Sequence, residues 1–264
     1  MLELVYSFLL AAGLSCLLAM LAHMKKSLTT EALLLAWTFS VIITFLSGIG
    51  GFTILCAVFV FTILADKIGK SKVKHEKSET RTPIQIFANV GTGTLVILVC
   101  AAFGFFMEGF FLYACAMAAS LADSMASGIG ILSKQDPVCL FTRTRVPKGQ
   151  SGGVSPLGIG ASLLGGVIIG SFHLLFTGDL LHSLLVALAG LVGSIADSFF
   201  GTFLQGKFIC QGKESHYTEK RICHQKPAKL IHGYAWIDNN VVNLFNNLFA
   251  LFFGLILLLL IPIA

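Results

Sequence analysis

Two aspartates stand inside long apolar segments of this 264-residue chain, and the sequences around them are alike. Asp123 lies in SLADSMAS at 120–127, and Asp197 lies in SIADSFFG at 194–201. A carboxylate inside a segment that spans a membrane is costly, so each one is a candidate for function. No Lys or Arg lies within these segments to neutralise the charge. We predict that both aspartates bind a divalent cation such as Mg²⁺, which favours carboxylate oxygens.

Small and polar side chains accompany each aspartate at helical spacing. Ser124 and Ser127 share a predicted helix face with Asp123, and Ser198 follows Asp197. Both aspartates fall roughly 13 Å along the helix axis from the predicted cytoplasmic end, so the two should lie at the same depth. The alternative is that the serines only pack membrane helices together, which requires no chemistry.

Amide side chains form a third polar set in the same half of the predicted bilayer. The set comprises Asn89 near the start of one predicted helix, and Asn239, Asn240, Asn243, Asn246 and Asn247 at the start of the last. Together with the aspartates they predict a water-filled cleft open to the cytoplasm. Carboxylate and amide oxygens in such a cleft could hold one or two Mg²⁺ ions.

The segment FTRTRVPKGQSGGVS at 141–155 combines basic, glycine and hydroxyl residues just before a predicted helix start. Glycines let backbone N–H groups approach an anion, and a helix N-terminus favours negative charge. We predict a phosphate-binding loop formed by Arg143, Arg145, Lys148, Gly149, Ser151, Gly152, Gly153 and Ser155. It is not a Walker A loop, because the spacing of that motif is absent. A basic linker that only sets topology is the alternative.

The last basic loop contains the potential zinc ligands Cys210, His216, Cys223 and His224. Their spacing lacks the close pairs of structural zinc sites, so a solvated surface that includes Glu214 and Glu219 is the preferred interpretation. The seven cysteines are an odd number and lie mostly in apolar segments. We therefore predict no disulfide framework.

The composition predicts the elements that position these residues, since 56% of the chain is hydrophobic and 12% is charged. Apolar runs near the ~20 residues of a spanning helix lie at about 4–23, 31–46, 50–66, 84–104, 108–131, 156–176, 180–204 and 239–263. The predicted fold is a single all-α domain over 1–264, a polytopic membrane bundle of about eight transmembrane helices. The apolar stretch 31–66 would span about 54 Å as one helix, so we predict a hairpin that turns at the glycines near Gly48.

Basic residues test this arrangement because Lys and Arg are retained in cytoplasmic loops. With eight helices, all 18 fall on one face: Lys25, Lys26, Lys67, Lys70, Lys72, Lys74, Lys77, Arg81, Lys134, Arg143, Arg145, Lys148, Lys207, Lys213, Lys220, Arg221, Lys226 and Lys229. Both termini are therefore predicted outside and the basic loops cytoplasmic. The formal charge of +5 indicates this asymmetry, and no nucleic-acid partner is expected. His173 and His182 are expected near the opposite membrane interface.

The protein is thus predicted to be integral to a membrane, the cell membrane if bacterial, with its site facing the cytoplasm. The first apolar segment lacks a preceding basic region and is followed by Lys25 and Lys26, the reverse of a secretory signal. We expect it to stay in the mature protein. The sequence leaves the oligomeric state open.

Several of these segments together resemble one known family. They are FANVG at 87–91, DSMAS at 123–127, VPKGQSGGVS at 146–155, GSIADS at 193–198 and WIDNNVVN at 236–243. In this order they resemble the integral-membrane family that contains plant phytyl-phosphate kinase and animal transmembrane protein 19. The resemblance covers about residues 66–247.

The resemblance implies a CTP-dependent kinase that converts an isoprenoid monophosphate into its diphosphate. By position, it implies metal binding by Asp123 and Asp197 and phosphate binding by the glycine-rich loop. It also implies that Asn239, Asn240 and Asn243 complete a polar wall. Gly128 departs from the family pattern, where an acidic residue is expected, so a metal ligand or base is missing there.

Phosphoryl transfer agrees with the residue chemistry, because it depends mainly on positioning and charge neutralisation. The expected partners are a nucleoside triphosphate, an isoprenoid monophosphate and membrane lipids. Alternatives are an ion-coupled transporter, which also uses intramembrane carboxylates, and a non-catalytic lipid-binding protein. A kinase acting on the free prenol, or an enzyme that attaches CMP to a lipid phosphate, would use similar residues.

Overall fold

The computed structural model describes residues 2–24, 27–70, 80–210, 216–223 and 225–263. Some residues discussed above lie outside this described part of the chain. They are Lys25, Lys26, Lys72, Lys74, Lys77, Lys213, Glu214 and His224.

Helices account for most of the described chain. They are α1 (Leu2–Met24), α2 (Thr30–Lys70), α3 (Pro83–Ile86), a π-helical turn (Phe87–Gly91), α4 (Thr92–Ala102), α5 (Phe106–Gly130), α6 (Pro156–Thr177), α7 (Leu180–Phe203) and α8 (Asn239–Leu260). Within the described residues, six helical segments are long and apolar enough to cross a membrane. This count takes α2 as one segment and treats Pro83–Ala102 as one continuous helix. The apolar part of α1 runs from Phe8 to Met24. The chain is therefore a helical, polytopic membrane protein.

The long α2 contains a reversal at Gly48, whose φ of 64° and ψ of −157° are not helical. Arg81 contacts the sequences at both ends of α2. Its backbone bonds with Ser27 and Thr29 at 3.0 and 3.1 Å, and its guanidinium donates to Asp66 at 3.1 Å. Ends of a straight 41-residue helix would lie about 60 Å apart, so the two arms of α2 run side by side as the glycines predicted.

Helix α5 forms the centre of the bundle, and its residues from Gly109 to Ala122 are all buried. It packs against α2, α4, α6, α7 and α8. Small residues bring the helices close: a Cβ added to Gly165 of α6 would lie 2.9 Å from the Ala122 Cα, and one added to Gly193 of α7 would lie 2.6 Å from the Ala119 Cβ. Close backbone approach of this kind is how membrane helices associate without a hydrophobic driving force.

Two loops contain short strands, so the all-α prediction is wrong there. The loop between α5 and α6 is closed by pairing of β1 (Val138–Cys139) with β2 (Gly153–Val154). The loop between α7 and α8 forms an antiparallel sheet in the order β4-β3-β7 and a hairpin of β5 and β6. Their bounds are β3 Lys207–Cys210, β4 His216–Thr218, β5 Ile222–Cys223, β6 Lys226–Pro227 and β7 Lys229–His232.

A disulfide joins Cys210 at the end of β3 to Cys223 at the end of β5. The prediction that the cysteines form no disulfide was therefore wrong for this pair. The strand arrangement explains the pairing, because it brings two cysteines separated by 13 residues to a Cα distance of 5.7 Å.

The loops that carry the described basic residues meet at one end of the bundle. Gly69 near the end of α2 packs against Gly128 near the end of α5, and Cys139 of the next loop contacts Thr202 near the end of α7 at 3.4 Å. The opposite end consists of short turns, where Gly50 near the α2 reversal lies against Phe110 and Phe176. The asymmetric charge distribution predicted from sequence is thus present among these residues.

Candidate functional site

A polar cavity of about 290 Å³ lies between α5, α6 and α7 at the basic end of the bundle. Its lining includes most of the predicted site, namely Asp123, Ser127, Lys148, Gly149, Ser151, Gly152, Gly153, Ser155, Asp197, Ser198 and Asn239. These residues come from α5, the glycine-rich loop, α7 and the start of α8. The fold therefore brings together two predicted groups of residues, the aspartates and the loop.

The side chains of Asp123 and Asp197 both line the cavity and lie next to each other. The carboxyl groups of Asp123 and Asp197 lie within hydrogen-bonding distance. The Oδ1 atom of Asp197 is buried and has no hydrogen-bond partner. Two ionised carboxylates at this distance repel each other, so the pair requires a shared proton or a cation.

A divalent cation fits this pair. Within the described part of the chain, no group of three or more His, Cys, Asp or Glu side chains is arranged to hold a metal. Mg²⁺ commonly uses only one or two carboxylates and takes its remaining ligands from water and substrate phosphates. The buried, unpartnered Asp197 oxygen therefore suits Mg²⁺ better than a metal that needs a full set of protein ligands.

The glycine-rich loop is folded onto the end of α7. Gly149 and Gly152 have φ values of 83° and 86°, which favour glycine. A Cβ on Gly152 would collide with the Thr202 side chain and lie 3.0 Å from its backbone N and Cα. The loop ends at Ser155, which caps α6 by accepting a hydrogen bond from the Gly158 N–H at 3.1 Å. The loop glycines and the start of α6 thus face one cavity.

The basic residues of the loop are not all in the cavity. Lys148 contributes to the lining, and its ammonium donates to the Ser133 carbonyl at 2.6 Å. Arg143 and Arg145 are exposed on the segment that leads to the loop, and neither is among the lining residues. The backbone explains their position, because Arg145 pairs with Val138 beside β1 and Arg143 occupies a turn with a φ of 55°.

The predicted amide wall is divided between two roles. Asn239 lines the cavity, whereas Asn240 bonds with Asp238, the residue that caps α8. Asn243 donates weakly to Asn89 at 3.4 Å. Only the first of these amides therefore faces the cavity.

The π-helical turn explains where the other amides go. Asn247 donates to the carbonyl of Ala88 at 2.7 Å, and Ser120 donates to the carbonyl of Asn89 at 2.7 Å. A π turn disturbs the regular helical hydrogen bonds, so these side chains satisfy its carbonyls. Ser124 lines a second, apolar cavity on the same side of α5. The packing interpretation fits Asn89 and Asn247.

Glu219 lies at the cavity although the sequence placed it on a solvated surface. Its carboxylate accepts from the Ser151 backbone N–H at 2.8 Å and from the Ser151 hydroxyl at 2.7 Å. It also accepts from Gln205 at 2.9 Å and from Tyr217 at 2.8 Å. A charged residue in a basic loop gave no sequence signal for this placement, which depends on strand β4 folding back over the glycine-rich loop.

Glu219 also affects the titration of nearby groups in the loop. Burial raises the pKa of the Tyr217 hydroxyl, and the negative charge of Glu219 raises it further. Burial lowers the pKa of Lys207, while the Glu219 charge offsets part of that shift.

The Cys139 thiol has a lowered pKa for a different reason. Burial raises the pKa of this thiol, but hydrogen bonds with Thr142, Thr202 and the backbone outweigh burial and lower it to about 7.

Gly128 does not face the cavity. A Cβ there would lie 2.8 Å from the backbone C and O of Ala65, in the arm of α2 that follows Gly48. The residue is a close-packing contact between α2 and α5. In this chain an acidic side chain at position 128 has no room to reach the aspartate pair.

The zinc interpretation receives no support from the described residues. Cys210 and Cys223 are bonded to each other, so their sulfurs are not thiolate ligands. His224 lies outside the described part of the chain.

The two histidines near the opposite end are buried within the bundle. His173 and His182 are 2% and 4% exposed. His182 bonds Asp179 at 2.6 Å and the Ile261 carbonyl at 3.0 Å, and His173 bonds Ser183 at 2.8 Å. They tie α6, α7 and the end of α8 together.

These features define a polytopic helical membrane protein with a polar, partly buried cavity at its basic end. The chain belongs to the family described as integral membrane protein DUF92, whose model matches residues 13–251. It is 29% identical over 196 residues to an uncharacterized membrane protein of Methanocaldococcus jannaschii, covering 74% of this chain and 82% of that protein. It is 28% identical over 273 residues to Protein PGR of Arabidopsis thaliana, covering 90% of this chain and 91% of that protein. No solved structure matches the chain.

Proposed function

We propose that this protein is a CTP-dependent kinase that converts an isoprenoid monophosphate into its diphosphate at a site facing the cytoplasm. The observation that carries the proposal is the meeting of the Asp123–Asp197 pair and the glycine-rich loop in one cavity. Paired carboxylates suit a divalent cation, and glycine-rich loops at helix starts suit phosphates. The resemblance to the phytyl-phosphate kinase and transmembrane protein 19 family supplies the substrate class.

The cavity residues have separate roles in the proposed reaction. Asp123 and Asp197 would hold Mg²⁺, which when bound neutralises charge on the transferring phosphoryl group. Lys148 would add positive charge, while the backbone N–H groups at Ser151, Gly152 and Gly153 would orient phosphate oxygens.

The bond changes define the expected products. An oxygen of the isoprenoid monophosphate attacks the γ-phosphorus of CTP, and the bond from that phosphorus to the bridging oxygen breaks. The isoprenoid diphosphate forms and CDP leaves. No covalent protein intermediate is required, since positioning and charge neutralisation account for most phosphoryl-transfer catalysis.

An apolar cavity beside the polar one supports a lipid substrate. It is lined by Trp37, Phe39 and Phe59 and reaches Ser120 and Ser124 on α5. Ser124 directly follows Asp123 in the sequence. The tail of an isoprenoid phosphate could therefore lie among apolar groups while its head approaches the carboxylates.

Ion-coupled transport is the main alternative, and it requires access from both ends of the bundle. Close packing opposes such a path in the part of the bundle between the aspartates and the end opposite the basic loops. Gly165 packs against the backbone of Ala122, and Gly193 packs against Ala119 one turn further. These contacts close the space between α5, α6 and α7 next to the aspartate pair, on the side away from the basic loops.

The decisive experiment is transfer of labelled γ-phosphate from CTP, with ATP as comparison, to phytyl, farnesyl and geranylgeranyl monophosphates. Purified protein in detergent with Mg²⁺ should form the diphosphate, and Asp123→Asn should abolish it. Asp136→Asn is the matched control, because Asp136 is an exposed acid at the same end outside the cavity lining. Folded protein that forms no product with either donor would eliminate the kinase proposal.

A further inference from the structure

The carboxylate of Glu219, which lines the cavity, accepts hydrogen bonds from a converging set of donors. Its Oε1 accepts from the Ser151 N–H and the Tyr217 hydroxyl, and its Oε2 accepts from the Ser151 hydroxyl and the Gln205 amide. All four distances fall between 2.7 and 2.9 Å. A carboxylate bound by convergent donors in this way identifies a site for an oxyanion.

The donors are held in place by the surrounding structure. Gln205 is 1% exposed, so its amide has little freedom. Ser151 lies beside Gly152, whose position is fixed by its contact with Thr202. The oxyanion site is therefore formed mainly by parts of the fold other than the residue that now fills it.

A backbone N–H carries one hydrogen, so the Ser151 N–H cannot donate fully to Glu219 and to a phosphate at once. The carboxylate also adds a negative charge to a cavity that already contains Asp123 and Asp197. Both effects oppose binding of a phosphate to the glycine-rich loop while Glu219 is in place.

We propose that Glu219 is an internal competitor for the phosphate site, and that a phosphate-bearing ligand binds Ser151, Gln205 and Tyr217 after displacing its carboxylate. This proposal rests on the proposed function, because it takes the cavity to be a phosphate site. It assigns to the glycine-rich loop two further ligands from outside the loop, Gln205 and Tyr217.

The side chain of Glu219 can leave these donors while Tyr217 stays in place. Glu219 directly follows β4, which is an edge strand that pairs only with β3. That pairing joins just three residue pairs, from Phe208 with Thr218 to Cys210 with His216. Because Glu219 lies beyond these paired residues, its side chain can rotate away from Ser151 while β4, with Tyr217, stays paired with β3.

The test measures anion binding directly, without catalysis. Binding of pyrophosphate in the presence of Mg²⁺ would be measured by isothermal titration calorimetry on the full chain in detergent. Glu219→Gln removes the charge and keeps the shape, whereas Glu219→Ala removes the competitor entirely. Glu108→Gln is the matched control, since this acid lies in the first turn of α5 at the opposite end of the bundle.

Both Glu219 variants should bind pyrophosphate about tenfold more tightly than the wild type, as expected for removal of a like charge and a competing acceptor. The control should bind like the wild type. Weaker or unchanged binding in both variants would overturn the inference and make Glu219 a residue that only positions the loop. Absence of binding in every variant would also overturn it.

The outcome is separable from that of the kinase proposal. Tighter pyrophosphate binding without phosphoryl transfer from any nucleotide would establish the competitor and reject the kinase. Phosphoryl transfer with unchanged pyrophosphate affinity would support the kinase and reject the competitor.

Discussion

The carboxyl groups of Asp123 and Asp197 lie within hydrogen-bonding distance although they come from α5 and α7, and one oxygen of Asp197 is buried without a partner. Their charges repel when both are ionised, so the pair is less stable without a cation than with one. Stability and metal binding should therefore be coupled.

Asp197→Asn should remove this coupling. Mg²⁺ at 100 times its dissociation constant stabilises a folded protein by about 2.7 kcal/mol, so the wild type should unfold at a higher temperature when Mg²⁺ is added. The variant should show little response to Mg²⁺, and without Mg²⁺ it should be at least as stable as the wild type. Thermal unfolding in detergent measures both effects.

The control for this prediction is Asp136→Asn, which should respond to Mg²⁺ like the wild type. A full Mg²⁺ response in Asp197→Asn would contradict the assignment of the pair as the metal site.

Gly152→Ala tests the placement of the glycine-rich loop. Its φ of 86° and its contact with Thr202 leave no room for a methyl group, so the loop should shift and phosphate binding should fall. We expect a loss of stability of about 1–3 kcal/mol from strain and overpacking. Thermal unfolding and pyrophosphate titration provide the two measurements.

Gly160→Ala is the matched control, because it lies in α6 with nothing within 4 Å of an added Cβ. This change should be neutral or stabilising, since alanine favours helix. Equal behaviour of the two variants would mean that Gly152 does not fix the loop.

The sequence predicted the aspartate pair and the glycine-rich loop because local patterns determine them. Matching positions on two apolar helices placed Asp123 and Asp197 at one depth, and glycines before a helix start marked the loop. The contact of Glu219 with Ser151 joins residues 68 positions apart, so no local pattern could reveal it.

Two other differences between the predicted and the observed site arose from backbone structure that the types of side chain do not reveal. Pairing of β1 with β2 directs the segment containing Arg143 and Arg145 away from the cavity lining. The π-helical turn exposes carbonyls that bind Ser120 and Asn247, which diverts part of the polar set to packing. The helical spans were more predictable because their length and apolarity follow from the bilayer.

Gly128→Ala should destabilise the protein by about 1–3 kcal/mol, because its Cβ would lie 2.8 Å from the Ala65 backbone. Gly128→Asp should be more destabilising and should not strengthen Mg²⁺ binding, since position 128 faces α2. Gly13→Ala, with open space around its Cβ, is the control for unfolding in detergent. A gain in Mg²⁺ affinity in Gly128→Asp would show that the side chain reaches the cavity.

Asp179→Ala tests the turn between α6 and α7. Asp179 caps α7 by accepting from the His182 N–H at 3.0 Å, and this bond is the main cause that lowers the pKa of its carboxyl. The lowered folded-state pKa gives stability that is present above the unfolded pKa of about 3.9 and is lost as pH falls through the folded value. At pH 7 the variant should lose about 1 kcal/mol.

The difference in unfolding temperature between wild type and Asp179→Ala should therefore shrink as the pH is lowered below about 4. Asp136→Asn should show no such difference at either pH, because that acid is exposed. A gap that stayed constant from pH 7 to pH 3 would mean that the charge of Asp179 contributes nothing to the cap.

The disulfide gives a test of orientation, because it lies at the same end as the basic residues. Basic loops favour the cytoplasm, whereas disulfides are rare in that reducing compartment. If this end faces the cytoplasm as we propose, Cys210 and Cys223 should be reduced in the cell and should form their bond only on oxidation after purification.

Trapping free thiols in intact cells with a membrane-permeant maleimide, followed by peptide mass spectrometry, distinguishes the two orientations. Alkylation of both cysteines is the expected result. Recovery of the linked peptides from freshly trapped cells would place the basic end in an oxidising compartment. That result would also remove cytoplasmic CTP as the phosphoryl donor, since the cavity opens at the same end as the disulfide.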